Sequence, residues 1–219
     1  MVIESILPPG VAAADSVVDP PDAELFPEEE AYIARAVEKR RREFTTVRWC
    51  ARRALDSLGQ RAVALLPDRR GAPGWPDGVH GSMTHCAGYR AAAVAPTGTV
   101  AGIGIDAEPH EALPAGVFDT ISLPSERASI RRRHARVHWD RLLFSAKESV
   151  FKAWYPMARR ELGFSEAELD LDPGGSFTAR LLVPGPVVDG RPVTGYQGRW
   201  RVVDGLILTA IVVPRRDAL

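Results

Sequence analysis

The chain has 219 residues, 45% of them hydrophobic and 26% charged. That is the make-up of an ordinary globular protein with room for one large domain or two small ones. Its 28 basic and 28 acidic residues cancel, which argues against a nucleic-acid protein, and no apolar run reaches the roughly 18–20 residues of a membrane span.

Residues 1–27 carry five prolines and read as extended and irregular. An acid as early as Glu4 and no basic leader argue against a signal peptide. Cys50 and Cys86 form no CxxC pair, so no zinc or redox motif is expected, and a reducing cytoplasm is the default compartment. Glu28–Gly59 reads as a helix, because Ile33, Val37, Phe44, Val47, Ala51, Leu55 and Leu58 recur mostly at threes and fours. Gly59 suits a helix end, and the β-branched run Thr45–Val47 is where a break would fall.

The Gly- and Pro-rich stretch LLPDRRGAPGWPDGVHG is loop. A short strand near Met83 follows, then strands over Tyr89–Ala95 and Val100–Glu108, the last two read as a hairpin. A connector at Pro109–Pro114 leads to a short helix with Ser122 or Ser125 as cap. A longer helix covers Val137–Tyr155, with Leu143, Val150 and Trp154 on its buried side and Pro156 ending or kinking it. The end is a hairpin around Asp204–Gly205. This order predicts an α+β protein of two halves, residues 1–108 with a basic helix and 109–219 with a Lys/Glu helix. No GxGxxG or P-loop accompanies a suitable strand and helix.

The strand VAGIGIDAEP ends in Asp106 and Glu108, two positions apart, so both carboxylates leave the same side of an extended chain. Close carboxylates repel unless a cation sits between them. A divalent ion, an arginine or bulk water at a strand end would each serve. On the long helix, Glu148 stands four residues before Lys152, the spacing of a surface ion pair. The alternative is that Glu148 faces Asp106 and Glu108 and completes a three-carboxylate magnesium site.

Lys39, Arg40, Arg41, Arg42 and Arg48 lie on the first helix, with Arg69 and Arg70 in the following loop. They form a solvated face or a phosphate grip. The patch Arg131–Arg136 is a solvated face, a nucleic-acid contact or a dock for an acidic protein. His85, with Ser82 and Thr84 nearby, is a hairpin histidine or a phosphate contact. No GxSxG elbow marks a nucleophile.

The stretches EKRRREFTTVRWCARRAL, GWPDGVHGSMTHCAGYRAA, GIGIDAEP, LPSERA and WDRLLFSAKESVFKAWYP together resemble the 4'-phosphopantetheinyl transferases, of the Sfp-like or EntD-like class found in actinobacteria. The joint occurrence of GIDxE and KExxxKAW carries the resemblance. It implies two similar α+β halves related by a pseudo-twofold, with the active site at their interface. It implies transfer of 4'-phosphopantetheine from coenzyme A to a serine of an apo acyl, peptidyl or polyketide carrier protein, releasing 3',5'-ADP. By resemblance Asp106, Glu108 and Glu148 are the metal ligands, with Mg²⁺ or Mn²⁺ as the ion. Lys147 and Lys152 match the motif's two lysines, which would stabilise developing charge. Arg40, Arg48, Thr84 and His85 match coenzyme A contacts. The family often has a lysine upstream of WPDG, where this chain has Arg69 and Arg70; Arg69, Arg70 or neither takes its role, and Arg70 is counted among the coenzyme A contacts. Glu148 is the expected base, directly or through a water. A monomer with no nucleic-acid or membrane partner is expected. The alternative is a Mg²⁺-dependent nucleotide pyrophosphohydrolase acting on coenzyme A or a related compound.

Overall fold

The computed structural model describes residues 2–133 and 136–215; His134, within the predicted basic patch, lies outside them. The N-terminal stretch is more regular than its prolines suggest: a 3-10 turn at Ile3–Ile6 leads into strand β1, Ala12–Ser16. The expected Glu28–Gly59 helix is two helices, α1 Pro27–Ile33 and α2 Glu38–Ser57. The break lies at residues 34–37, not at Thr45–Val47. Thr45 is helical, its hydroxyl donating back to Arg41 O at 2.9 Å.

Strands β2 (Val79–Cys86) and β3 (Tyr89–Pro96) form a hairpin, and β1 pairs with the other edge of β3 in an antiparallel three-stranded sheet. The expected hairpin between Tyr89–Ala95 and Val100–Glu108 is not formed. With β1 and β2 on its two sides, β3 has no open edge left. Strand β4 (Val100–Pro109) instead pairs with the C-terminal strand β10, Leu206–Pro214.

Helices α3 (Val117–Ile121), α4 (Pro124–Ile130) and α5 (Trp139–Ala158) follow. Neither expected serine caps α4. Ser122 donates to Phe118 O and Ser125 to Glu168, while Glu126 Oε2 accepts the Leu123 N–H at 2.7 Å. Pro156 sits inside the last turn of α5, which runs on to Ala158 and closes at Arg159 in the left-handed region. The remaining strands are β5 (Ala167–Asp172), β6 (Ser176–Leu181), the short pair β7 (Val187–Val188) and β8 (Arg191–Pro192), and β9 (Gly195–Val203). They build a five-stranded sheet in the order β4-β10-β9-β6-β5, with β7 and β8 apart. The terminal hairpin turns at Asp204 and Gly205, with φ of 50° and 75°, the positive values a two-residue primed turn requires.

Four layers result: α2, the three-stranded sheet, the five-stranded sheet and α5. Cys50, Ala51, Ala54 and Leu55 of α2 pack on Ala92 and Val94 of β3. The next residues of β3, Ala91, Ala93 and Ala95, face the other way, onto Ile103, Ile105 and Ala107 of β4. The far side of β10 and its neighbours packs under Leu142, Leu143, Val150 and Trp154 of α5. Strand alternation thus buries β3 on both faces, and its alanines let the layers approach. Between the sheets, Ser82 Oγ and Thr84 Oγ1 of β2 accept the N–H groups of Ile105 (3.1 Å) and Ala107 (3.0 Å) on the edge of β4. Side-chain hydroxyls there replace a backbone ladder.

Candidate active site

The glycines of GIGID bring the site together. A Cβ on Gly104 would lie 2.0 Å from Ser149 O and 2.7 Å from Ala153 N, so α5 rests directly on the β4 backbone. Asp106 and Glu108, next on the same side of β4, consequently meet the polar side of α5. Asp106 is buried. Its Oδ1 accepts from Lys152 Nζ at 2.7 Å and from Thr84 Oγ1 at 3.3 Å, and its Oδ2 accepts from Ser145 Oγ at 2.8 Å. Thr209, opposite Asp106 in the β4–β10 register, lies 2.9 Å from the Ser145 hydroxyl.

Glu108 Oε2 accepts from Arg141 Nη1 at 2.8 Å. The rest of that guanidinium holds the connector, through Glu111 O at 3.2 Å and Ala112 O at 3.0 Å. Glu148, half-buried, has no hydrogen bond or ion pair among the described residues. The surface pair Glu148–Lys152 is not made, because the lysine turns to Asp106. Burial first, and the Asp106 charge second, raise the proton affinity of both Glu108 and Glu148 above the usual carboxylate value. Lys152 opposes both shifts.

Beside the acids opens a cleft of about 690 Å³ whose wall includes Arg40, Arg48, Arg70, His85, Glu148, Phe151 and Lys152. Arg40 Nη1 donates to His85 Nε2 at 3.0 Å. That bond requires a neutral imidazole with its proton on Nδ1. Burial first, and the Arg40 charge next, hold His85 below its ordinary value. A smaller cavity of about 280 Å³, lined largely by Val150, Phe151, Leu162 and Phe164, shares Glu148 and Phe151 with the cleft.

Three of the residues predicted for the site border it and are held there by structural contacts. Lys147 points away from Asp106: its ammonium is buried, pairs with Glu126 Oε2 at 3.0 Å and donates to Phe164 O (2.6 Å) and Ala167 O (3.0 Å). Burial lowers its pKa, against the pull of Glu126. Arg48 is buried over the Phe44 ring, with Nε and Nη2 on Leu65 O and Nη1 on Phe44 O, and burial brings its pKa down to about 10. Thr84 bridges β2 and β4. Arg70, by contrast, is exposed in the loop and paired with Glu161. In the basic patch, Arg131 and Arg132 are exposed, while Arg133 lies 4.5 Å from the Trp139 ring centroid.

Among the described residues no three acidic, His or Cys side chains are gathered closely enough to hold a metal by themselves. A magnesium ion does not need that. It typically takes one or two carboxylates, with substrate phosphates and waters filling the octahedron. Glu148, with no partner of its own and with its charge disfavoured by Asp106, is the oxygen donor such an ion would meet. The donor set therefore fits a hard divalent cation shared with a phosphate.

Residues 28–95 match the model of the 4'-phosphopantetheinyl transferase N-terminal domain, and residues 102–198 that of the 4'-phosphopantetheinyl transferase superfamily. The chain is 58% identical to the 4'-phosphopantetheinyl transferase Svp of Streptomyces mobaraensis, over 97% of this chain and 89% of that protein. It is 49% identical to PptT of Mycobacterium tuberculosis, over 97% and 98% of the two chains. It is 51% identical to Npt of Nocardia iowensis, over 96% and 99%. No described helix is long and apolar enough to cross a membrane.

Proposed function

The chain belongs to the 4'-phosphopantetheinyl transferases and is an enzyme of that activity, and we propose here how its own residues carry the transfer. The reaction moves 4'-phosphopantetheine from coenzyme A to the serine hydroxyl of an apo carrier protein. The serine oxygen forms a bond to the phosphorus next to pantetheine, the diphosphate bridge breaks, and 3',5'-ADP leaves. Identity of 49–58% over nearly the whole chain carries this reading.

The two cavities that share Glu148 and Phe151 suit the two ends of coenzyme A. The larger, with Arg40, Arg70 and His85 on its wall, takes the phosphorylated nucleotide. The smaller, with its apolar wall, takes the pantetheine arm. The diphosphate then lies at Glu148, Asp106 and Lys152. Lys152 offers its ammonium to the phosphate oxygens that gain charge as the bridge breaks. Glu148 accepts the serine proton, directly or through a water held by it. Arg141 and Ser145 keep Glu108 and Asp106 in place. Asp106, Glu108 and Glu148 would hold Mg²⁺, with Mn²⁺ as a substitute, and the ion when bound would neutralise diphosphate charge. Lys147 and Arg48 act on structure, fixing α5 to α4 and α2 to the loop at Leu65.

The partner is a carrier protein with an acidic surface, met in part by the exposed Arg131 and Arg132. Incubation with coenzyme A, Mg²⁺ and a panel of apo carriers, read by intact mass, tests the assignment. Carrier mass increased by phosphopantetheine is expected. Free phosphopantetheine with an unchanged carrier would mean hydrolysis instead. Reversing Arg131 and Arg132 to glutamate raises the carrier KM; an unchanged KM would remove the docking role.

A further inference from the structure

The loop Leu66–Gly74 leaves the N-terminal part of the chain and reaches across to the end of α5. It is held as a small flap by Gly74 N–H on Leu66 O and Asp68 N–H on Ala72 O, both 2.9 Å, and by a bridge between Pro67 and Pro73. Asp68 Oδ1 accepts the N–H groups of Arg70 (2.8 Å) and Ala72 (3.0 Å), fixing the tip. Three ties then bind the tip to the other side, one of them Arg159 Nη1 at 4.0 Å from Asp68 Oδ2. Asp68 Oδ2 accepts from Tyr155 OH at 3.0 Å, and Arg70 Nη1 pairs with Glu161 Oε1. Arg70 borders the larger cavity and Glu161 the smaller one, so their ion pair links the walls of the two.

We propose that Glu161 is a built-in competitor for Arg70: it occupies the guanidinium until a substrate phosphate displaces it, and so sets the affinity of the cleft for coenzyme A. The inference rests on coenzyme A being the occupant of the cleft. Glu161 takes Nη1 of Arg70, and a phosphate gripped by the fork in bidentate fashion needs that same nitrogen. Both side chains are more than half exposed, which places the pair among the weak ones and lets a phosphate win. The Tyr155–Asp68 tie does not involve Arg70, so the flap stays anchored when the arginine changes partner. The cost to binding is therefore the ion pair alone, not the order of the loop.

The test is calorimetric titration of coenzyme A, with Mg²⁺, into the parent, Glu161→Gln, Arg70→Ala and the double variant, at low and high salt. Glu161→Gln is expected to tighten binding about two- to five-fold, the worth of an exposed ion pair. Arg70→Ala weakens binding, and Glu161→Gln then gives no gain in its background. The gain shrinks at high salt, where exposed charges are screened. An unchanged affinity in Glu161→Gln, or an equal gain with and without Arg70, overturns the inference. If the parent itself binds no coenzyme A, the reading of the cleft fails, a result distinguishable from the first by the absence of heat in all four titrations.

Discussion

Replacing Lys152 by methionine probes the contact around which the acids are arranged. Methionine keeps most of the reach and volume and removes the charge and all three donors. The lysine gives a 2.7 Å bond to Asp106 Oδ1 and a 3.0 Å bond to Ile105 O. Removing one partner of a buried pair typically costs about 3–5 kcal/mol, because the other charge is left uncompensated. Here the lysine side chain is 27% exposed and the aspartate 7%, so water recovers part of that cost. Ser145 and Thr84 still donate to the carboxylate. A loss of about 2–3 kcal/mol remains, which for a chain of this length lowers Tm by about 4–12 °C. Scanning calorimetry without coenzyme A or divalent ion measures it. Adding Asp106→Asn should recover much of the loss, since no buried charge is then stranded. A single variant melting within about 1 °C of the parent would refute the reasoning.

Glu148→Gln lowers the transfer rate at saturating coenzyme A by at least about 100-fold, read by carrier mass against time. The same variant melts at or above the parent temperature, because burial and Asp106 make the Glu148 charge unfavourable in the fold. Lys147→Met strands the buried Glu126 and lowers stability by about 3–5 kcal/mol in denaturant unfolding, while the KM for coenzyme A stays near the parent value. For His85, the folded value lies below 6.5, so the unfolded chain binds the extra proton as pH falls and stability drops below about pH 6.5. His85→Gln, which keeps an acceptor for Arg40, flattens that drop; an unchanged slope in urea titrations at pH 5–7 would contradict the assignment.

The acidic pair was legible in the sequence because strand alternation is strict: Asp106 and Glu108 do lie on one side of β4, and both meet α5. The helical face was only partly read. Arg141, Ser145, Glu148 and Lys152 recur at intervals of four, three and four, a polar stripe that shares one side of α5. That spacing signals the supports of Asp106 and Glu108, which Glu148 and Lys152 alone do not. It also separates Lys147, which is turned roughly 100° from Glu148 on the helix. Arg48 falls within the apolar stripe of Phe44, Val47 and Ala51, and its burial follows from that position more than from its charge. The strand pairing was not legible, because tandem strands favour a hairpin locally. Only the occupied edges of β3, and the hydroxyl seam from Ser82 and Thr84, send β4 to β10.

A crystal structure with coenzyme A and Mn²⁺, the ion located by its anomalous signal, would test the constellation most directly. The ion is expected among Asp106, Glu108 and Glu148 beside the diphosphate, with oxygen ligands throughout and Lys152 on a phosphate oxygen. An ion bound without these carboxylates, or a diphosphate lying away from the junction of the two cavities, would contradict it.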